Sequence, residues 1–309
     1  MIGVMIRCDD VSKVRGRRKI LEGVGFEARP GRVTGFVGPN GAGKSSSLRI
    51  LLGLDRATTG HATIDGRPCR EFRNPLRHVG SMLDGAAAHP SRTARAHLGW
   101  VAASNGIPRK RVQQVLEEVG LAADANRRVG AYSLGMGQRL GLATALLGKP
   151  ERLVLDEPVN GLDPQGVRWI RRLLRAHADA GGTVLLSSHI LAEVEQVVDR
   201  VAIIANGAVV TESSLQNLRA QHSADGVTVI VRTDDDTALV PAVRELPGVR
   251  DVQSLPDGGV RIQTDDETAH GLAMELTRRG IGFTELTVEA ATLETVFLEL
   301  TAQQTGDPR

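Results

Sequence analysis

One short segment restricts the fold more than any other. An apolar run, Val33-Thr-Gly-Phe-Val37, leads directly into Gly38-Pro39-Asn40-Gly41-Ala42-Gly43-Lys44-Ser45. The run predicts a buried strand, and Ser46–Leu54 predicts a helix with Gly53 near its end. Strand, glycine-rich loop and helix in this order form a phosphate-binding turn. Glycines let backbone N–H groups approach phosphate oxygens with no Cβ in the way. Lys44 adds a charge for the β- and γ-phosphates, and Ser45 a hydroxyl for Mg²⁺. The helix start points its positive dipole end at the same place. A nucleoside triphosphate is the ligand this segment implies.

Four more motifs follow. They are Ser133-Leu-Gly-Met-Gly-Gln-Arg139, Leu153-Val-Leu-Asp-Glu157, Asn160-Gly-Leu-Asp163 and Ser187-Ser-His189. Asp156 ends an apolar strand, where it can hold Mg²⁺ directly or through water. Glu157 is next to it, where it can orient and polarise an attacking water. Taken singly these are a capped helix, an acidic turn and a surface histidine. Their order and spacing on one chain argue for a shared nucleotide.

Elements alternate around the motifs. Helices are expected at Thr93–Ser104, Arg109–Val119, Gly137–Leu147, Pro164–Ala178 and Leu191–Val198. Buried strands are expected at Arg152–Leu155 and Thr183–Ser187, and a hairpin over Val201–Val210 turning at Asn206-Gly207. The alternation predicts an α/β domain with a largely parallel core sheet. Polar, weakly periodic residues over Leu218–Gly226 mark a boundary. Beyond it come Val227–Arg232, Thr237–Glu245, Val249–Ser254, Gly259–Thr264, Glu267–Arg279, Phe283–Val288 and Thr292–Leu300. Their order, βαββαβ with a last helix, resembles a ferredoxin-like unit.

The five motifs together resemble the ATP-binding cassette (ABC) family, the motor subunits of membrane transporters. The resemblance covers residues 1–220, with a helical subdomain over 85–149, leaving 221–309 as an accessory α+β domain. It implies a P-loop NTPase fold: a RecA-like core with an antiparallel β subdomain and a helical subdomain. It implies ATP and Mg²⁺ as ligands. Nucleotide contacts are expected from Gly38, Pro39, Asn40, Gly41, Ala42, Gly43, Lys44, Ser45 and Ser46, and metal contacts from Ser45 and Asp156. Glu157 is the expected catalytic carboxylate, and His189 contacts the γ-phosphate and the attacking water. Ser133 and Gly135, at a helix start, are expected to bind the γ-phosphate of ATP held by a second ATP-binding subunit, with the pair forming a homodimer. A separate transmembrane permease is the other expected partner, docking near Asp84–Leu98. It would hold the chain at the cytoplasmic face of the membrane.

The sequence departs from the family at three places. Arg15, in Lys13-Val-Arg-Gly16, stands where an aromatic stacks on adenine; a guanidinium can also stack. Leu134 interrupts the signature. Asp84 replaces a glutamine that senses the γ-phosphate, and is a candidate ligand to Mg²⁺ or water. An acid at that position, Tyr132-Ser-Leu-Gly-Met136 and the closing Ala291–Thr301 segment resemble the branch exporting bacitracin-like and lantibiotic-like peptides and drugs. Two other readings compete. A regulatory cassette with weak turnover is favoured by Arg15, Leu134 and Asp84, and opposed by Lys44, Asp156, Glu157 and His189. A soluble cassette ATPase acting on DNA or ribosomes usually has two cassettes, coiled coils or zinc modules. None of these is visible here.

Composition adds limits. A net charge of +2 gives no nucleic-acid footprint, so no nucleic-acid partner is expected. The two cysteines, Cys8 and Cys69, lack metal spacing and are expected as reduced thiols. The N-terminus shows no secretory core. Runs without Asp, Glu, Lys or Arg, such as Ala96–Pro108, are too short to span a bilayer.

Overall fold

The computed structural model describes residues 5–83, 85, 87–218, 227–233, 236–256, 258–289, 292–294 and 296–297. Its contacts divide the chain into two units, Met1–Ser214 and Leu215–Arg309.

The first unit is built on a six-stranded sheet. Its strands are β3 (Arg32–Val37), β5 (Val79–Met82), β6 (Arg152–Asp156), β7 (Thr183–Ser188), β8 (Arg200–Ala205) and β9 (Ala208–Ser214). They lie in the order β5-β6-β7-β3-β8-β9. All neighbours pair in parallel except β8 and β9. Every residue of β6 and β7 is buried, which explains their near-continuous apolar character: a parallel strand covered on both faces has no solvent side. Val37 pairs with Ser188 and Asp156 with Ser187. The carboxyl ends of β3, β6 and β7 therefore lie side by side, where ligands of open α/β sheets bind.

A second, antiparallel sheet has the order β2-β1-β4, from β1 (Ile6–Arg15), β2 (Arg18–Ala28) and β4 (Thr59–Ile64). Phe26 on β2 stacks on Phe36 of β3, with centroids 4.6 Å apart. The two sheets share one apolar core with helix α1 (Lys44–Leu51), in which Ile6, Leu21, Leu48 and Ile64 are fully or almost fully covered.

Helices α2 (Ala94–Ser104), α3 (Lys110–Glu118) and α4 (Leu134–Leu146) enclose another core, including Leu98, Val115, Leu116 and Leu140. Thr93 caps α2 and Ser133 caps α4, each accepting a backbone N–H three residues on. Helix α4 lies hard against β5: a Cβ on Gly80 would come within 2.1 Å of the Ala145 carbonyl oxygen. Helix α5 (Pro164–Asp179) is capped by Asp163, whose Oδ1 accepts from Gly166 N at 2.7 Å.

Three helices differ most from the sequence expectation. Helix α1 starts at Lys44, because Gly43 at φ 110° is its cap. Helix α4 starts at Leu134, three residues before Gly137, because Ser133 supplies the cap and two glycines are tolerated in the first turns. Helix α6 covers only Leu191–Val194. The chain then turns so that Val194 and Val198 close over Gly35, where Asp199 accepts the Val33 N–H at 2.8 Å.

The second unit contains β10 (Val227–Arg232), α7 (Asp236–Arg244), β11 (Val249–Ser254), β12 (Val260–Thr264), α8 (Asp266–Arg278) and β13 (Glu285–Glu289). Its sheet order is β11-β12-β10-β13, antiparallel throughout. Along β12, Val260, Ile262 and Thr264 are buried while Arg261 and Gln263 are exposed, the alternation of a sheet covered on one face. Val229, Val231 and Ile262 share a core with Leu239 and Val243 of α7 and Leu272 of α8. Of the helix expected over Thr292–Leu300, Leu293, Glu294, Val296 and Phe297 are helical, while residues 295 and 298–300 lie outside the described residues.

Candidate nucleotide site

The glycine loop is shaped by what surrounds it. A Cβ on Gly38 would lie 2.2 Å from the Ile204 carbonyl oxygen, and one on Gly43 2.5 Å from Leu21 Cδ2. Gly41 and Gly43 have φ of 81° and 110°, a region that suits glycine. The Asn206-Gly207 turn supports the loop from beneath: Gly207 N donates to Ala42 O at 3.1 Å, and Glu22 N donates to Gly207 O at 2.8 Å. The sequence showed this turn as a hairpin but not as a support for the loop.

Lys44 is 6% exposed. Its Nζ donates to Gly38 O at 2.7 Å and Pro39 O at 3.2 Å, and lies 3.8 Å from Glu157 Oε1. Burial lowers its pKa from the usual lysine value, with the Glu157 and Asp156 carboxylates opposing the shift. Ser45 is exposed and Ser46 half-buried in the first turn of α1. Pro39, Asn40 and Gly41 are exposed, and Ala42 is buried beneath them.

Asp156 is buried at the end of β6 and accepts the Ser187 hydroxyl proton at Oδ1. Glu157 follows with φ 48°, sparsely populated by non-glycine residues. Its N–H is shared between Ser187 O at 3.2 Å and Ser187 Oγ at 3.3 Å. Its Oε1 lies 3.0 Å from His189 Nδ1, and its Oε2 is buried with no hydrogen-bond partner. The loops after β3, β6 and β7 thus bring Lys44, Asp156, Glu157 and His189 together. An unpartnered carboxylate oxygen, an ammonium and an imidazole converge at the mouth of a glycine loop, a set suited to attack of water on a phosphoryl group.

The remaining candidates lie elsewhere. Ser133 Oγ accepts from Met136 N at 3.3 Å. Gly135 and the exposed Leu134 lie against Gly161 and Leu162. Arg15 ends β1, exposed, with its guanidinium 3.7 Å from Asp55. Asp84 lies outside the described residues.

Residues 21–160 match the family model described as ABC transporter. The bacitracin transport ATP-binding protein of Bacillus licheniformis is 34% identical over 97% of this chain and 98% of its own length. The chain belongs to the ABC transporter family. A lantibiotic transport ATP-binding protein of Streptococcus pyogenes is 36% identical over 67% of the chain and 90% of its own length. A solved ATP-binding subunit of an ABC transporter superposes with a TM-score of 0.64 at 27% identity, covering 71% of this chain and 93% of that one. The cassette is an α/β P-loop NTPase that hydrolyses ATP, of the branch that the motifs pointed to.

Proposed function

We propose that the cassette is the ATP-hydrolysing motor of an exporter of a peptide antibiotic or drug. The meeting of Lys44, Asp156, Glu157 and His189 at adjoining strand ends carries the chemical part of this reading. The two antibiotic-transport relatives support the cargo class. In the reaction, a water oxygen bonds to the γ-phosphorus as the bond to the bridging oxygen breaks, giving ADP and phosphate. The Glu157 carboxylate orients and polarises that water, its free Oε2 being available to accept a proton. His189 holds the water and the γ-phosphate, and Lys44 with the backbone of residues 38–46 binds the phosphates.

Mg²⁺ fits the donors present. Among the described residues no group of three His, Cys, Asp or Glu could cage an ion. Mg²⁺ does not need one, since it keeps waters and is held by one or two protein groups with phosphate oxygens. Ser45 and Asp156 would be those groups, and the ion would neutralise charge on the phosphates. Arg15, exposed beside Asp55, would stack on the base, and Asp84, outside the described residues, would act on the phosphates through metal or water.

Ser133 and Gly135 open α4 with backbone N–H groups suited to a γ-phosphate, supporting a homodimer with two ATP molecules between its subunits. No described helix is long and apolar enough to cross a membrane. A separate permease, docking near Asp84–Leu98, holds the motor at the cytoplasmic face. The β11-β12-β10-β13 order in βαββαβ sequence supports a ferredoxin-like accessory domain after the ATP-binding one. Glu157→Gln tests the reading. It should bind ATP, stop turnover and accumulate as an ATP-bound dimer, while Lys44→Ala weakens binding itself. Full hydrolysis by Glu157→Gln would remove that carboxylate from the mechanism.

A further inference from the structure

Ser187 is fully buried in a strand whose neighbours Val184, Leu185 and Leu186 are apolar. Packing alone would be served there by alanine or valine, and a buried hydroxyl costs free energy unless it finds partners. It finds two, both in the hydrolytic site. Its proton goes to Asp156 Oδ1, directly across the β6–β7 register. Its oxygen, with its own carbonyl, receives the Glu157 N–H. One side chain thereby contacts both consecutive acids of the site.

We infer that Ser187 is a positioning residue for hydrolysis: it turns the Asp156 carboxylate so that one oxygen remains for the metal, and it pins the Glu157 backbone. The inference rests on the roles proposed above for Asp156 and Glu157. At Asp156 the serine proton occupies Oδ1, so rotation of the carboxylate breaks a charge-assisted hydrogen bond. At Glu157 the shared acceptors hold a backbone with φ 48°, which a non-glycine residue does not keep unaided. From that backbone the Glu157 side chain reaches His189 Nδ1 at 3.0 Å and comes within 3.8 Å of Lys44 Nζ. Sequence reading meets Ser187 only as the lead-in to His189, because no local pattern sets it opposite Asp156. Residues that orient a ligand's carboxylate typically influence metal affinity and turnover by about ten- to a hundredfold.

The test uses the full chain with Mn²⁺ as a spectroscopic substitute for Mg²⁺. Mn²⁺ binding is read by electron paramagnetic resonance with a saturating non-hydrolysable ATP analogue. Nucleotide binding is read separately in EDTA, with the melting temperature as a folding control. Ser187→Ala should weaken Mn²⁺ binding about tenfold or more, yet leave metal-free nucleotide affinity within about twofold. Its single-turnover rate should stay low even at saturating Mg²⁺, because Glu157 is also released. Ser187→Thr, which keeps the hydroxyl, should recover most of both. Ser187→Cys, close in size but a weak donor, should fall between, and it gives the same readout if the alanine variant does not fold. Mn²⁺ affinity of Ser187→Ala within about twofold of the parent would overturn the inference. So would a parallel loss of metal-free nucleotide binding, which would mark general disruption. Asp156→Asn, measured alongside, separates the two levels. If it too leaves Mn²⁺ binding intact, the metal role of Asp156 fails; if it weakens binding while Ser187→Ala does not, only the role of Ser187 fails.

Discussion

Gly38→Ala isolates the steric requirement of the glycine loop. The added Cβ would sit 2.2 Å from the Ile204 carbonyl oxygen, 2.9 Å from Ile204 Cγ2 and 3.2 Å from the Ile204 carbonyl carbon. A carbon–oxygen contact ordinarily needs about 3.3 Å, so the loop or β8 must move by roughly 1 Å. The closest obstacle is backbone, which cannot rotate away. Relief of such overpacking costs about 2 kcal/mol, which lowers the melting temperature of a domain of this size by about 4–8 °C. The same displacement misaligns the N–H groups facing the phosphates, and should weaken ATP binding by about tenfold or more. Thermal unfolding of the full chain, followed through the cassette transition, and ATP titration in EDTA measure the two effects. Gly41→Ala is the informative contrast. It meets nothing within 4 Å but has φ 81°, so it costs only backbone strain of about 1–2 kcal/mol. Ile204→Ala should not rescue Gly38→Ala, because it leaves the carbonyl in place. A melting temperature within about 1 °C of the parent with unchanged ATP affinity, or a rescue by Ile204→Ala, would refute the steric argument.

Three further outcomes are expected. Arg111 is buried, forks onto Glu118 at 2.6 and 2.8 Å, and donates to the Leu146 and Leu147 carbonyls at the end of α4. Arg111→Ala should cost about 2–3 kcal/mol in chemical denaturation, and Arg111→Lys should recover less than half of it, because an ammonium cannot reproduce the fork. Burial first, and then Arg92, lower the His97 pKa below 6.5, and burial does the same at His177. Just below pH 6.5 the unfolded chain then binds more protons than the folded one, so stability should fall as the medium is acidified from about pH 7.5 to about pH 5.5; a scan of melting temperature against pH should show this, with a shallower slope in His97→Gln. If Asp84 links the γ-phosphate to a permease docked near Asp84–Leu98, Asp84→Ala, assayed with the permease, should keep ATP affinity within about a few fold and lose far more transport than isolated ATPase activity, whereas Asp84→Gln should retain much of both; normal transport by Asp84→Ala would remove that coupling role.

The parts of this chain legible in its sequence are those set by strong local rules. Val33–Ser45 could be read because a glycine loop between strand and helix has few alternatives, and Val249–Ser254 because its boundaries coincide with turn residues. Periodicity alone places the start of α4 at Gly137, whereas the resemblance sets a helix start at Ser133. Gly135 and Gly137 depress helix propensity there, and only the Ser133 cap outweighs them. Helix α6 was overextended for the opposite reason. Leu191–Val198 has helical spacing, but long-range packing of Val194 and Val198 on Gly35 bends the chain after Val194. Local pattern cannot report that competition.

The candidate site divides along the same line. Lys44, Asp156, Glu157 and His189 stood in recognisable motifs because each would face the nucleotide in the mechanism proposed above. The positioning roles of their neighbours were invisible, because the partners lie far away in sequence: Ser187 is 31 residues from Asp156, and Gly207 and Ile204 reach the glycine loop from the β8–β9 hairpin. A single serine in an apolar strand is a weak signal on its own. It gains meaning only when the parallel register sets it opposite a carboxylate, since a buried hydroxyl without an acceptor would destabilise the strand that contains it. The useful general sign is therefore a small polar residue, out of keeping with its apolar strand, one sheet position from a strand that ends in acids. Such a residue makes the geometry of the acids depend on β7 as well as β6. Any movement of β7 relative to β6 would then alter the Asp156 carboxylate and the Glu157 backbone together.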